Sequence, residues 1–88
     1  MPSNVSISKK EVEIRQIMDD LKLVLNDYGN YVGVTDYIQR LLGYNERRMR
    51  EIDDRVRDIL FQRANPLGYM TEYIRELLKD DKRFRIRE

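Results

Sequence analysis

The strongest constraint on this fold is that the chain contains one stretch twice. Thr35-Asp36-Tyr37-Ile38-Gln39-Arg40-Leu41-Leu42 returns as Thr71-Glu72-Tyr73-Ile74-Arg75-Glu76-Leu77-Leu78. An offset of 35 also sets Glu11 on Glu46, Arg15 on Arg50, Ile17 on Ile52, Asp19 on Asp54, Leu25 on Leu60, Asn30 on Asn65 and Gly33 on Gly68. One extra residue after Gly68 then aligns the two Thr-x-Tyr-Ile-x-x-Leu-Leu segments. Such self-similarity marks a repeated supersecondary unit. Apolar spacing alone is common to all amphipathic helices; the shared Asn, Gly, Thr and Tyr are more telling.

Each copy reads as helix, loop, helix. In the first, Ile14, Ile17, Leu21, Val24 and Tyr28 step by three and four, which keeps one stripe facing a neighbour. Met18 and Leu25 widen the stripe, and Val12 and Leu23 lie off it. The helix is expected from Lys9, capped by Ser8, and stopped at Gly29. Residues 30–33 read as a loop, and Thr35 caps a short helix from Asp36 to about Leu42, ended by Gly43.

In the second copy, Asn45 caps a helix carrying Met49, Ile52, Val56 and Ile59, with Leu60 and Phe61 beside them. Pairs Glu46–Arg50, Glu51–Arg55 and Asp53–Arg57 at four-residue spacing support it by roughly 0.2–0.5 kcal/mol each. Asn65-Pro66 closes it, since proline disfavours the helical conformation in the residue before it. Residues 67–70 repeat the loop, Thr71 caps the last helix to about Lys79, and Asp80-Asp81 ends it.

Two further segments alternate like strands. Phe84 and Ile86 lie on one side of the arm 82–88, with Arg83, Arg85 and Arg87 on the other. A lone strand needs an edge to pair with, and Val5-Ser6-Ile7 is the evident candidate within the chain. The expectation is a single all-α domain: four helices from two tandem repeats, about 9–43 and 45–81, followed by the strand-forming arm. The expected core is Ile14, Ile17, Leu21, Val24, Leu25, Ile38, Leu41, Leu42, Met49, Ile52, Val56, Ile59, Leu60, Ile74, Leu77 and Leu78.

Function narrows mainly by exclusion. The chain has no His, the commonest general base and metal ligand, and no Cys. No catalytic or metal-ligating residues, no cofactor and no enzymatic activity are therefore expected. The repeat spacing resembles that of paired EF-hands, which would imply calcium sites. A calcium loop needs several oxygen side chains and a closing bidentate Glu, and here Asn30 and Asn65 stand nearly alone, with Ile38 and Ile74 near the closing position. No apolar run approaches the ~20 residues that span a bilayer, and the start lacks a secretory pattern, so a cytoplasmic location without membrane is expected.

Two readings remain. The first is a protein interaction or assembly module, a homo-oligomer or a binder of another protein, docking by helix faces and by strand addition at the arm. Its candidate residues are Phe84 and Ile86, with Tyr31, Tyr44 and Tyr69 at loop positions where rings can anchor a partner. Removing 82–88 is expected to abolish association and leave helicity intact. The alternative is an accessory DNA-binding protein that grips phosphates with Arg47, Arg48, Arg83, Arg85 and Arg87, read as locally unopposed. Seventeen basic against 16 acidic residues gives this second reading little global support.

Overall fold

The computed structural model describes residues 10–27 and 31–87. The order is β1 (Lys10–Glu13), α1 (Ile14–Asp27), α2 (Tyr31–Leu42), α3 (Glu46–Gln62), α4 (Pro66–Asp80) and β2 (Phe84–Arg87). It is an all-α arrangement with a small parallel sheet made by the two ends of the described chain. α1 packs on α2 and α4, and α3 packs on the same two.

The stripes set this packing. Ile17 and Leu21 of α1, Ile38 and Leu42 of α2, Ile52 and Val56 of α3, and Ile74 and Leu78 of α4 are essentially inaccessible to solvent. Every residue of the expected core is buried or packed against the buried cluster. Val12, Val34, Met70 and Phe84 join them as further members.

Several matching positions of the two copies have matching environments. At matching offsets, buried Val34 corresponds to buried Met70, and α2 opens at Tyr31 as α4 opens at Pro66. Tyr37 donates its hydroxyl to Asp20 Oδ2 of α1 at 2.9 Å. Its counterpart Tyr73 sits under the guanidinium of Arg55 of α3, 5.9 Å from the ring centre, and Arg55 is the counterpart of Asp20. Both rings thus fasten a second helix onto a first, one through an anion and the other through a cation.

Several boundaries differ from the sequence reading. α2 and α4 begin well before Thr35 and Thr71, so residues 31–33 and 67–70 are helical rather than loop. Proline suits the first helical position, where its missing amide hydrogen has no partner to lose, and Pro66 starts α4 in this way. Thr71 is therefore internal, and its hydroxyl donates to the Leu67 carbonyl at 2.8 Å. Thr35 is also internal and reaches Asp53 Oδ1 at 3.4 Å. Asn45 does cap α3, accepting the Arg48 amide at 2.9 Å, and Gly43 ends α2 with φ +67°.

The first helix starts at Ile14, not Lys9, because residues 10–13 form a strand. The equivalent residues of the second copy, 45–48, are the N-cap and first turn of α3, so the two copies differ here, where the first pairs with β2. The arm's partner is accordingly β1 rather than Val5-Ser6-Ile7; that segment and Ser8 lie outside the described residues. Among the expected helix pairs, Arg57 meets Asp53 at 3.5 Å, whereas Arg48 takes Glu51 at 2.8 Å and Arg55 lies 3.8 Å from Asp58.

Candidate interaction surface

The sheet has a solvent face and a core face. Its parallel register sets Lys10 beside Phe84, Glu11 beside Arg85, Val12 beside Ile86 and Glu13 beside Arg87. Val12 and Phe84 are 9% and 8% exposed, and Ile86 packs half-buried against the same cluster. Phe84 and Ile86, read as docking residues, therefore spend their apolar surface inside the chain. On the solvent face, acidic β1 meets basic β2, and Arg87 Nη1 lies 3.5 Å from Glu11 Oε2.

Among the described residues no third strand joins this sheet. Lys10 donates its amide to the Arg83 carbonyl at 3.0 Å. Bonding direction alternates along a strand, so the amides of Glu11 and Glu13 point away from β2, toward the outer edge of β1. Beside β1 runs a groove of about 370 Å³, walled by Tyr37, Arg40 and Leu41 of α2 and with Val12, Ile17 and Phe84 among its lining residues.

A polar cluster anchors β2 to the bundle. Asp81 caps the end of α4 and accepts the Arg83 amide through Oδ1 at 3.0 Å. The Arg83 side chain donates Nε to Asp81 Oδ1 at 3.0 Å and Nη2 to Oδ2 at 2.7 Å. The same Nη2 donates to the carbonyl of Leu42, the last residue of α2, at 2.6 Å. Tyr44 completes the cluster, donating its hydroxyl to Asp81 Oδ2 at 3.3 Å. The guanidinium bonds of Arg83, with further hydrogen bonds, hold the Asp81 carboxyl at about 2. Burial, followed by the neighbouring Asp81 charge, pushes the Tyr44 hydroxyl up.

The structure thus brings together three residues read as separate candidates. Tyr44 lies under the guanidinium of Arg48 at 5.4 Å and that of Arg83 at 5.9 Å. Arg83, Arg48 and Arg87 have carboxylate partners, which overturns their reading as unopposed. Arg47 and Arg85 are exposed and keep no ion pair among the described residues. Tyr69 is 50% exposed in the first turns of α4, with Arg63 4.9 Å above its ring. Tyr31 opens α2 rather than standing in a loop.

Sequence reasoning missed Asp81, Glu11 and Glu13 as members of this surface. The acid–x–Arg spacing of Asp81 and Arg83, and the Glu-Val-Glu alternation of β1, were the available signals. Among the described residues no group of acidic side chains is arranged to hold a metal ion, and no helix is long and apolar enough to cross a membrane. In comparisons with protein-family models, curated proteins and solved structures, the chain matches none.

Proposed function

We propose that this chain is a non-catalytic interaction module that recruits a protein partner by strand addition to its small sheet. The observation carrying this reading is the outer edge of β1, which borders a groove of mixed polar and apolar lining. A strand edge offers main-chain hydrogen bonds to any extended segment, and an adjoining groove selects alternate side chains. The arm contributes by holding this edge in place: β2 pairs β1, Phe84 roots the sheet in the core, and Arg83 ties it to α2 and α4.

The DNA-binding alternative has lost support, since three of its five arginines are committed to Glu11, Glu51 and Asp81. The discriminating experiment is fluorescence anisotropy of a labelled duplex titrated with the protein at low and at near-physiological salt. The interaction-module reading expects no duplex binding at either. Tight binding that weakens steeply with salt, and that is lost in an Arg47→Ala, Arg85→Ala double variant, would overturn it, because counterion release drives phosphate contacts.

A further inference from the structure

The charge pattern on the sheet narrows what the β1 edge accepts. We infer that its occupant is an extended protein segment in which basic residues alternate with apolar ones. This inference rests on the strand-addition reading above.

The first argument is cross-strand complementarity. Residues opposite one another on neighbouring strands interact directly, and opposite charges favour the pair. β1 already shows its preference on the side that is filled: Glu11-Val12-Glu13 faces Arg85-Ile86-Arg87. Glu11 and Glu13 both remain exposed, on the solvent face of a strand with only one neighbour in the described sheet. A strand added on the other side meets the same two carboxylates, so it too is favoured by cations at alternate positions.

The second argument comes from the groove itself. Its charged lining groups are Lys10, Glu11, Glu13, Asp20 and Arg40. Arg40 is held 3.0 Å from Asp36 on its own helix, which offsets its charge. Asp20 accepts from Tyr37 at 2.9 Å and from Gln16 Nε2 at 2.9 Å. Glu11 is likewise offset by Arg87 at 3.5 Å, so the groove keeps only a small negative balance, Glu13 and Asp20 against Lys10. Between the charges, half-buried Leu41 and the residual edges of the core residues Val12, Ile17 and Phe84 add a small apolar patch. An incoming strand presents every second side chain to each face, so cations fall toward Glu11 and Glu13 while apolar side chains fall on the Val12 side, toward Leu41. The same acidic edge disfavours a nucleic acid backbone.

The test uses the intact chain, isotopically labelled for backbone amide spectra, and two short capped peptides, one alternating Lys with Val and one alternating Glu with Val. The Lys–Val peptide is expected to shift and protect the amides of Glu11 and Glu13, leaving the β1–β2 register intact. Added salt weakens its binding. Glu11→Pro removes the edge donor without touching the amides that bond β2, and abolishes binding. The Glu11→Gln, Glu13→Gln double variant keeps the whole backbone edge and serves if the proline variant does not fold. It is expected to weaken binding about tenfold, the effect of losing two favourable cross-strand charge pairs.

Preferential protection of the β1 edge by the Glu–Val peptide would overturn the basic specificity and leave strand addition standing. Binding of the Lys–Val peptide that is unchanged by the Gln double variant would do the same. If neither peptide protects Glu11 or Glu13, both this inference and the strand-addition reading fail.

Discussion

Arg83 donates a hydrogen bond of 2.6 Å to the carbonyl of Leu42, joining the turn before β2 to the last residue of α2 across 41 positions of sequence. The last carbonyls of a helix have no partner within the helix, and a cation beside them also complements the helix dipole. Gly43 ends α2 at this point, and its own amide closes back on Gln39. Arg83 supplies what the helix cannot supply for itself.

Replacing Arg83 should therefore destabilise the fold although the residue is exposed. Arg83→Ala removes the Leu42 bond and the two-pronged contact with Asp81, and is expected to lower the melting temperature measurably. Arg83→Lys keeps the charge but not the planar fork, and should restore only part of the loss. Thermal melts of the three proteins check this; equal melting temperatures would remove the anchor from the account.

Asp81 gives the same cluster a pH signature. Its carboxyl is depressed to about 2 in the folded chain, against about 3.9 when unfolded. A depressed acid contributes stability above its unfolded value, and that contribution is lost as pH falls through the folded one. Stability should thus decline between about pH 4 and pH 2. Asp81→Asn should flatten this decline and be less stable than the parent at neutral pH. Urea denaturation across that range provides the measurement.

The arm was expected to be removable without loss of helicity, and the structure argues against that. Phe84 is a member of the buried core, and β2 is the only strand paired with β1 among the described residues. Truncating a buried Phe typically costs about 3–5 kcal/mol. Phe84→Ala, and more strongly the deletion of 82–88, should reduce the helical circular dichroism signal at 37 °C or lower the unfolding midpoint clearly. A deletion variant as helical and as stable as the parent would show that the sheet is an appendage.

Much of the helical architecture could be read from the chain because three- and four-residue spacing is a direct consequence of helix geometry. The stops at Gly43 and Asp81, and the cap at Asn45, were equally local. β1 was not, because Lys10, Glu11 and Glu13 are good helix formers and the matching residues of the second copy cap and open α3. Pairing with β2 overrode that local preference. Val12, lying off the helical stripe, was the one residue that fitted a strand better. The Arg83 cluster escaped for a different reason: Leu42, Tyr44 and Arg83 meet only after the helices pack.

Tyr37 links α2 to α1 and carries an alkaline signature of opposite sign. Burial, reinforced by the hydrogen bond and the charge of Asp20, pushes its hydroxyl well above the usual tyrosine value of about 10. A raised acid contributes fully below its unfolded value and loses that contribution as pH climbs toward the folded one. Stability should fall as pH rises beyond about 10, and tyrosinate absorbance should show Tyr37 resisting ionisation until the chain unfolds. Tyr37→Phe is expected to cost about 1 kcal/mol at neutral pH and to blunt the alkaline loss. An unchanged alkaline profile would discount the Asp20 bond.

Two glycines should respond to alanine in opposite directions. Gly43 has φ +67°, which an L side chain adopts at a penalty of about 1–2 kcal/mol, although a Cβ there would meet nothing within 4 Å. Gly43→Ala should therefore destabilise through the backbone alone, and Gly43→Asn, with its greater tolerance of this region, should do so less. Gly68 lies in the first turn of α4 with helical geometry. A Cβ there would meet Asn65 Nδ2 at 3.3 Å, the movable end of a side chain that makes no capping bond. Reduced freedom in the unfolded chain and better helix propensity then favour Gly68→Ala by about 0.4–1 kcal/mol, less whatever the Asn65 adjustment takes. Chemical denaturation of both variants reads the signs directly. If Gly68→Ala destabilised as much as Gly43→Ala, the helical start of α4 at Pro66 would be wrong, and the residues after Pro66 would form the loop that their glycine suggests.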